Sequence, residues 1–133
     1  MILDSNIVIE AARPGADELL AVLGSGRRYV SSITRVEVLG FRRLAEEDRR
    51  DIETFLLATT ELLPTPAVIE QAIALRRQRK MGLGDALIAA TALVHGLTLV
   101  TRNVKDFRWI DGLTVLDPST IGPAEDEQGA AGT

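Results

Sequence analysis

The chain has no cysteine and only one histidine. Without cysteine there can be no disulfides, thiolate zinc sites, iron–sulfur clusters or thiol nucleophiles. One imidazole cannot build a histidine metal cluster, and a serine triad would rest entirely on it. Aromatic residues are scarce, at 4%, so the core must be made of Leu, Ile, Val and Ala. No apolar run approaches the ~20 residues that cross a bilayer, and the N-terminus lacks a signal peptide's basic start. A cytoplasmic protein with no membrane partner is expected. Excess positive charge is also lacking, the formal net charge being −4. Much of that deficit sits in Pro123–Thr133, which holds Glu125, Asp126 and Glu127 and no base. Residues 1–122 are left with 16 acids against 15 bases. This break predicts one folded domain over 1–122 and a flexible acidic tail over 123–133. With 46% hydrophobic residues in 133, the chain can bury a core without staples.

What is present comes in two textures. Short apolar runs, Met1-Ile2-Leu3, Tyr29-Val30, Leu62-Leu63, Leu97 to Val100 and Thr114 to Leu116, read as buried strands. Between them lie helical patterns. One follows Asp4 to about Pro14-Gly15. Another starts near Ser32 and carries Ile33, Val36, Val38-Leu39 and Leu44. A third runs from Asp48 to Thr60 with Ile52 and Phe55-Leu56-Leu57 inward. The fourth spans Ala67 to Lys80 with Val68, Ile69, Ala72, Ile73 and Leu75 on one side, and the fifth is the Ala-rich Asp85 to His95, stopped by Gly96. This alternation predicts an α/β fold, with a central parallel sheet of four to five short strands and helices on both faces. In such sheets the ligand crevice lies beyond the carboxyl ends of the strands.

Acids stand at those ends. Asp4 directly follows the first strand, and with Ser5 and Asn6 available to cap the helix, it is free for chemistry. Glu37 lies in an apolar helical stretch, where a carboxylate points either to solvent or into a polar site. Asp85 opens the Ala-rich helix behind Gly84, where the helix dipole also favours a plain N-terminal acid. Asn103 and Asp106 follow the Leu97–Val100 run, and one helical turn would put them on the same side. Each has an ordinary structural reading alone. Together, four carboxylates at one sheet edge would repel unless a cation sat among them. Without cysteine, the available ligands are hard oxygens, which suit Mg²⁺ or Mn²⁺. Such an ion is a standard means of hydrolysing phosphodiesters.

These segments carry a family resemblance. Asp4-Ser5-Asn6 resembles the opening motif of PIN-domain nucleases, and Ser32-Ile33-Thr34-Arg35-Val36-Glu37-Val38-Leu39-Gly40 is similar to the second. Asp85-Ala86-Leu87-Ile88-Ala89-Ala90-Thr91-Ala92, then Leu99-Val100-Thr101-Arg102-Asn103 and Asp106-Phe107, resemble the third and fourth. The likeness covers roughly residues 1–118 in the right order, and at this length it looks most like the VapC toxins of toxin–antitoxin pairs. It implies a single PIN-like domain and an Mg²⁺-dependent endoribonuclease, neutralised by a cognate VapB-like antitoxin and forming a homodimer. Asp4, Glu37, Asp85 and Asp106 would be the catalytic acids, with Asp4 and Asp85 the first metal ligands. Relatives place the fourth acid at the position of either Asn103 or Asp106; since Asn103 is neutral, Asp106 is the candidate.

Weaker signals fall away. Gly82-Leu83-Gly84 meets Leu87 where a dinucleotide fingerprint needs a small residue, and it follows a basic helix rather than a strand. His95 suits a helix C-terminus. Arg76-Arg77 with Arg79-Lys80, just before Asp85, could grip phosphates, and Arg13 or Arg102 could meet RNA or an acidic antitoxin segment. Two other readings remain. A catalytically silent PIN-fold RNA-binding or partner-binding module would gain nothing from clustered negative charge. A receiver- or phosphatase-type domain would need a second acid two residues after Asp4 and a late Lys, and neither is present.

Overall fold

The computed structural model describes residues 1–121; the acidic tail expected over 123–133 lies outside the described residues. The elements run β1 (Ile2–Leu3), α1 (Ser5–Ala12), α2 (Asp17–Leu23), β2 (Tyr29–Ser31), α3 (Ser32–Leu39), α4 (Glu46–Leu57) and β3 (Thr60–Leu62). They continue with α5 (Pro66–Gln78), α6 (Leu83–His95), β4 (Leu99–Val100) and β5 (Val115–Leu116), with a 3-10 turn at Val104–Asp106. All five strands are parallel, in the order β3-β2-β1-β4-β5. The chain builds outward from β1 to β3, then returns to β1's other edge. The topological switch point therefore lies between β1 and β4, where Ile2 pairs with Leu99 and Leu3 with Val100.

Strand alternation covers both faces. Ile2 and Leu99 join a cluster with Val68, Ala72 and Leu75 of α5 and the buried alanines of α6. Their neighbours Leu3 and Val100 join Ile7 and Val8 of α1, Leu19 and Leu23 of α2, Val38 and Ile52. Each face thus has its own core. The small side chains of Ala86, Ala89, Ala90 and Ala92 are buried and keep α6 slim. That helix ends as expected: Gly96 takes the left-handed conformation (φ 64°), its N–H donating to the Leu93 carbonyl and that of Leu97 to the Ala92 carbonyl.

The helical patterns over-count the inward face. In α5, Val68, Ala72 and Leu75 repeat at four and three residues and are buried, whereas Ile69 and Ile73 are 40% and 49% exposed. They sit one position, about 100°, around the helix. Leu57 is likewise 87% exposed, five residues beyond buried Ile52 and well off its face. Val36 and Leu63 also point outward. Leu44 lies beyond α3, which stops at Gly40; a Cβ there would come within 2.5 Å of the Val36 carbonyl oxygen. The helix α2 is absent from the sequence reading, because only Leu19 and Leu23 of its seven residues are buried. Among the described residues no helix is long and apolar enough to cross a membrane.

Candidate active site

The site begins with β1. Asp4 continues that strand's pairing, its N–H donating to the Val100 carbonyl at 3.0 Å. It is only 5% exposed, and a buried carboxylate needs donors. Oδ1 accepts from the Ser5 N–H at 2.8 Å, and Oδ2 accepts from Thr101 Oγ1 at 2.7 Å and Asn6 Nδ2 at 3.4 Å. Asp4, in extended backbone (φ −72°, ψ 164°), is therefore itself the cap of α1. This corrects the expectation that Ser5 and Asn6 cap the helix and leave Asp4 free. Their side chains work elsewhere. The Ser5 hydroxyl donates to Glu37 Oε1, and Asn6 Oδ1 accepts from the Arg102 N–H at 3.3 Å.

Thr101 follows β4 as Asp4 follows β1, so sheet register brings the two together across 97 residues. It is wholly buried, and its Oγ1 also accepts from the Asn103 N–H at 3.0 Å. Thr101 is a site residue that sequence reasoning missed, although the matched strand ends would have revealed it. The 3-10 turn then follows Asn103, whose carbonyl accepts from the Asp106 N–H at 3.0 Å. Asn103 and Asp106 are both exposed at the rim.

Glu37 is exposed on α3 but tethered by Ser5, and it leans over the start of α6. An ideal Cβ on Gly84 would lie 2.5 Å from Glu37 Oε2. Gly84 is thus the gap that lets α3 and α6 bring Glu37 beside Asp85. Asp85, partly buried in the first turn of α6, has its carboxyl pushed above the usual carboxylate range. Burial is the largest cause, followed by the negative charges of Asp4, Asp106 and Glu37. The structure thus brings the four sequence-predicted acids into one electrostatic neighbourhood at the switch point.

All four donors are carboxylate oxygens, the chemistry that suits a hard divalent cation. As the side chains stand, no three acids among the described residues are drawn into a coordination group. A cation would have to gather the outer ones inward. Arg102 is not a free substrate contact. Its guanidinium is held by Glu10 at 2.7 and 3.1 Å and approaches Asp117 at 3.5 Å. Beside Glu37, a cavity of about 320 Å³ opens between α1, α3 and α4, walled by Ile9, Phe41, Leu44 and Ile52.

A family model described as PIN domain matches residues 1–113. The chain is 36% identical over 131 residues to Ribonuclease VapC1 of Rickettsia felis, covering 90% of this chain and 97% of that protein. It is 34% identical over 122 residues to Ribonuclease VapC10 of Mycobacterium tuberculosis, covering 85% and 90%. A toxin–antitoxin complex from Klebsiella pneumoniae superposes with a TM-score of 0.71 at 32% identity, covering 88% of this chain and 96% of that one.

Proposed function

The chain belongs to the PIN-domain family, and from that premise we propose that it is an endoribonuclease toxin of the VapC kind, using Mg²⁺ or Mn²⁺ to hydrolyse RNA phosphodiester bonds in the cytoplasm. The observation that carries the reading is the gathering of acids at the switch point, with Asp4 buried at the end of β1 and Glu37 Oε2 against Gly84 beside Asp85, whose carboxyl their charges help to raise. Such crowding is costly in the free protein and useful only with a cation.

Asp4 and Asp85 are the residues to hold the ion. When bound, it would supply an acidified water and steady the charge on the leaving oxygen. Asp4 is aimed by its donors Ser5 N–H and Thr101 Oγ1. Glu37, tethered at Oε1 by Ser5, has Oε2 over Gly84 to help position a water. Asp106 adds an acid from the exposed rim.

The related ribonucleases bear the VapC name, and the similar solved assembly is a toxin–antitoxin complex. By that likeness a VapB-like antitoxin is the partner, and the apolar cavity reaching Glu37 is a place for it. The exposed Ile69 and Ile73 of α5 suit a homodimer contact.

The test is cleavage of total cellular RNA with Mg²⁺, with EDTA, and with Asp4→Asn. Cleavage should require the metal and fall at least roughly a hundredfold in the variant. Activity that persists in EDTA would leave a silent RNA-binding or partner-binding module as the better account.

A further inference from the structure

Arg35, Arg49 and Arg102 are held by carboxylates, whereas Arg79 is held by a ring. Its guanidinium carbon stands 5.3 Å from the centroid of Trp109, within the range of a cation–π contact. No carboxylate of the described residues lies within 4.0 Å of that guanidinium. Trp109 is the only tryptophan in the chain. Its ring rests against the core cluster of α5 and α6, and its Nε1 donates to the Asp106 carbonyl at 3.0 Å. On the other side, Arg76 Nε donates to the Met81 carbonyl at 3.3 Å, fastening the loop that leads to Asp85. The cation–π pair therefore joins the loop before Asp85 to the turn that carries Asp106.

That location has a chemical meaning. Four acids repel the phosphates of any nucleic acid, so a substrate has to be gripped beside them rather than by them. Arg77, Lys80, Lys105 and Arg108 are all exposed on these same two segments and supply the cations. Charge alone would need no ring. An exposed guanidinium held over a half-buried indole offers an unpaired base a cationic and aromatic surface to stack on.

We propose that Arg79 and Trp109 form a base-stacking subsite for single-stranded RNA, seating a nucleotide next to the scissile phosphate. The inference rests on the ribonuclease reading and says where its substrate lies. Base stacking is sequence-tolerant, so the subsite selects unpaired strands over duplexes.

The lone tryptophan is the reporter. Short single-stranded RNA of mixed sequence should quench the fluorescence of the Asp4→Asn chain, and the same strand annealed to its complement should not. In cleavage assays, Arg79→Ala and Arg79→Lys should each raise KM about tenfold, with kcat changed less than about twofold. Trp109→Phe keeps a ring and should retain most of the affinity. Because Arg79 is exposed, its variants should fold. An unchanged KM for Arg79→Ala would overturn the subsite. So would full rescue by Arg79→Lys, which would mean a phosphate contact, or a loss confined to antitoxin binding, which would mean a protein contact. A wild-type chain that is quenched by RNA yet does not cleave it would sustain the subsite and overturn the nuclease reading.

Discussion

The two halves of the acid cluster are built differently. Asp4 is 5% exposed at the end of a central strand, with three donors on its carboxylate. Glu37 and Asp106 are exposed, one on a helix held by a single serine and the other on a short 3-10 turn. The inner half is fixed by the sheet, and the outer half can move. Ligand position would thus be set from within and completed from without, with Asp85, partly buried in the first turn of α6, between the two.

The contrast can be broken from the inside out. Asp4→Asn keeps the shape and the Ser5 contact, so unfolding free energy should change by only about 1 kcal/mol while cleavage collapses. A much larger loss of stability, read by urea unfolding, would mean that the charge holds the fold.

Thr101→Val comes next. It strips the donor from Asp4 Oδ2 and the acceptor from the Asn103 N–H at a wholly buried position. A cost of about 1–3 kcal/mol is expected, with cleavage down roughly tenfold as Asp4 loses its aim. Wild-type activity in this variant would show that the inner half does not depend on the strand-to-strand contact.

The boundary residue responds to pH. Asp85's carboxyl is raised in the folded chain, so the stability associated with its protonated form is present at low pH. That stability is lost as pH climbs from about 4 through the raised folded value. Metal-free Asp85→Asn should escape the loss. It should melt above wild type at neutral pH, converge with it in acid, and respond less to Mg²⁺. Equal melting curves at every pH would show that the helix dipole already offsets the crowding.

The mildest effect belongs to the outer half. Gly84→Ala places a Cβ against Glu37 Oε2. Because Glu37 is exposed and can swing, stability should change by less than about 0.5 kcal/mol and activity by only several-fold. An effect as large as that of Thr101→Val would mean the outer half is as fixed as the inner.

This division also governs what could be read from the residues alone. The strand–helix order and Asp4 at the end of β1 were legible, because short buried runs and the residue after each are local features; Asp85 instead opens α6 behind another helix, α5. Five parallel strands and one neighbourhood of four acids followed. What was hidden depended on distant partners or on one step of helical phase. Glu10 and Asp117 claim Arg102 from 92 and 15 residues away, and no local pattern announces that. Ile69, Ile73 and Leu57 are as apolar as their buried neighbours and differ only in direction. Asp4's capping role was misassigned because Ser5 and Asn6 are equally good caps by composition. Glu37 drew Ser5 away, a contact spanning 32 residues.

The strand order has a consequence in time as well as in space. β1 leaves the ribosome first, yet its edge toward β4 stays bare until Leu99 and Val100 are made, and Asp4 waits across 97 residues for Thr101. At about 5–20 residues per second, synthesis of that interval takes roughly 5–20 seconds. No shorter nascent chain can assemble the inner half of the site. A growing polypeptide lacks the fixed half of the site until Thr101 has emerged, and a binding partner made beforehand has that interval to be waiting.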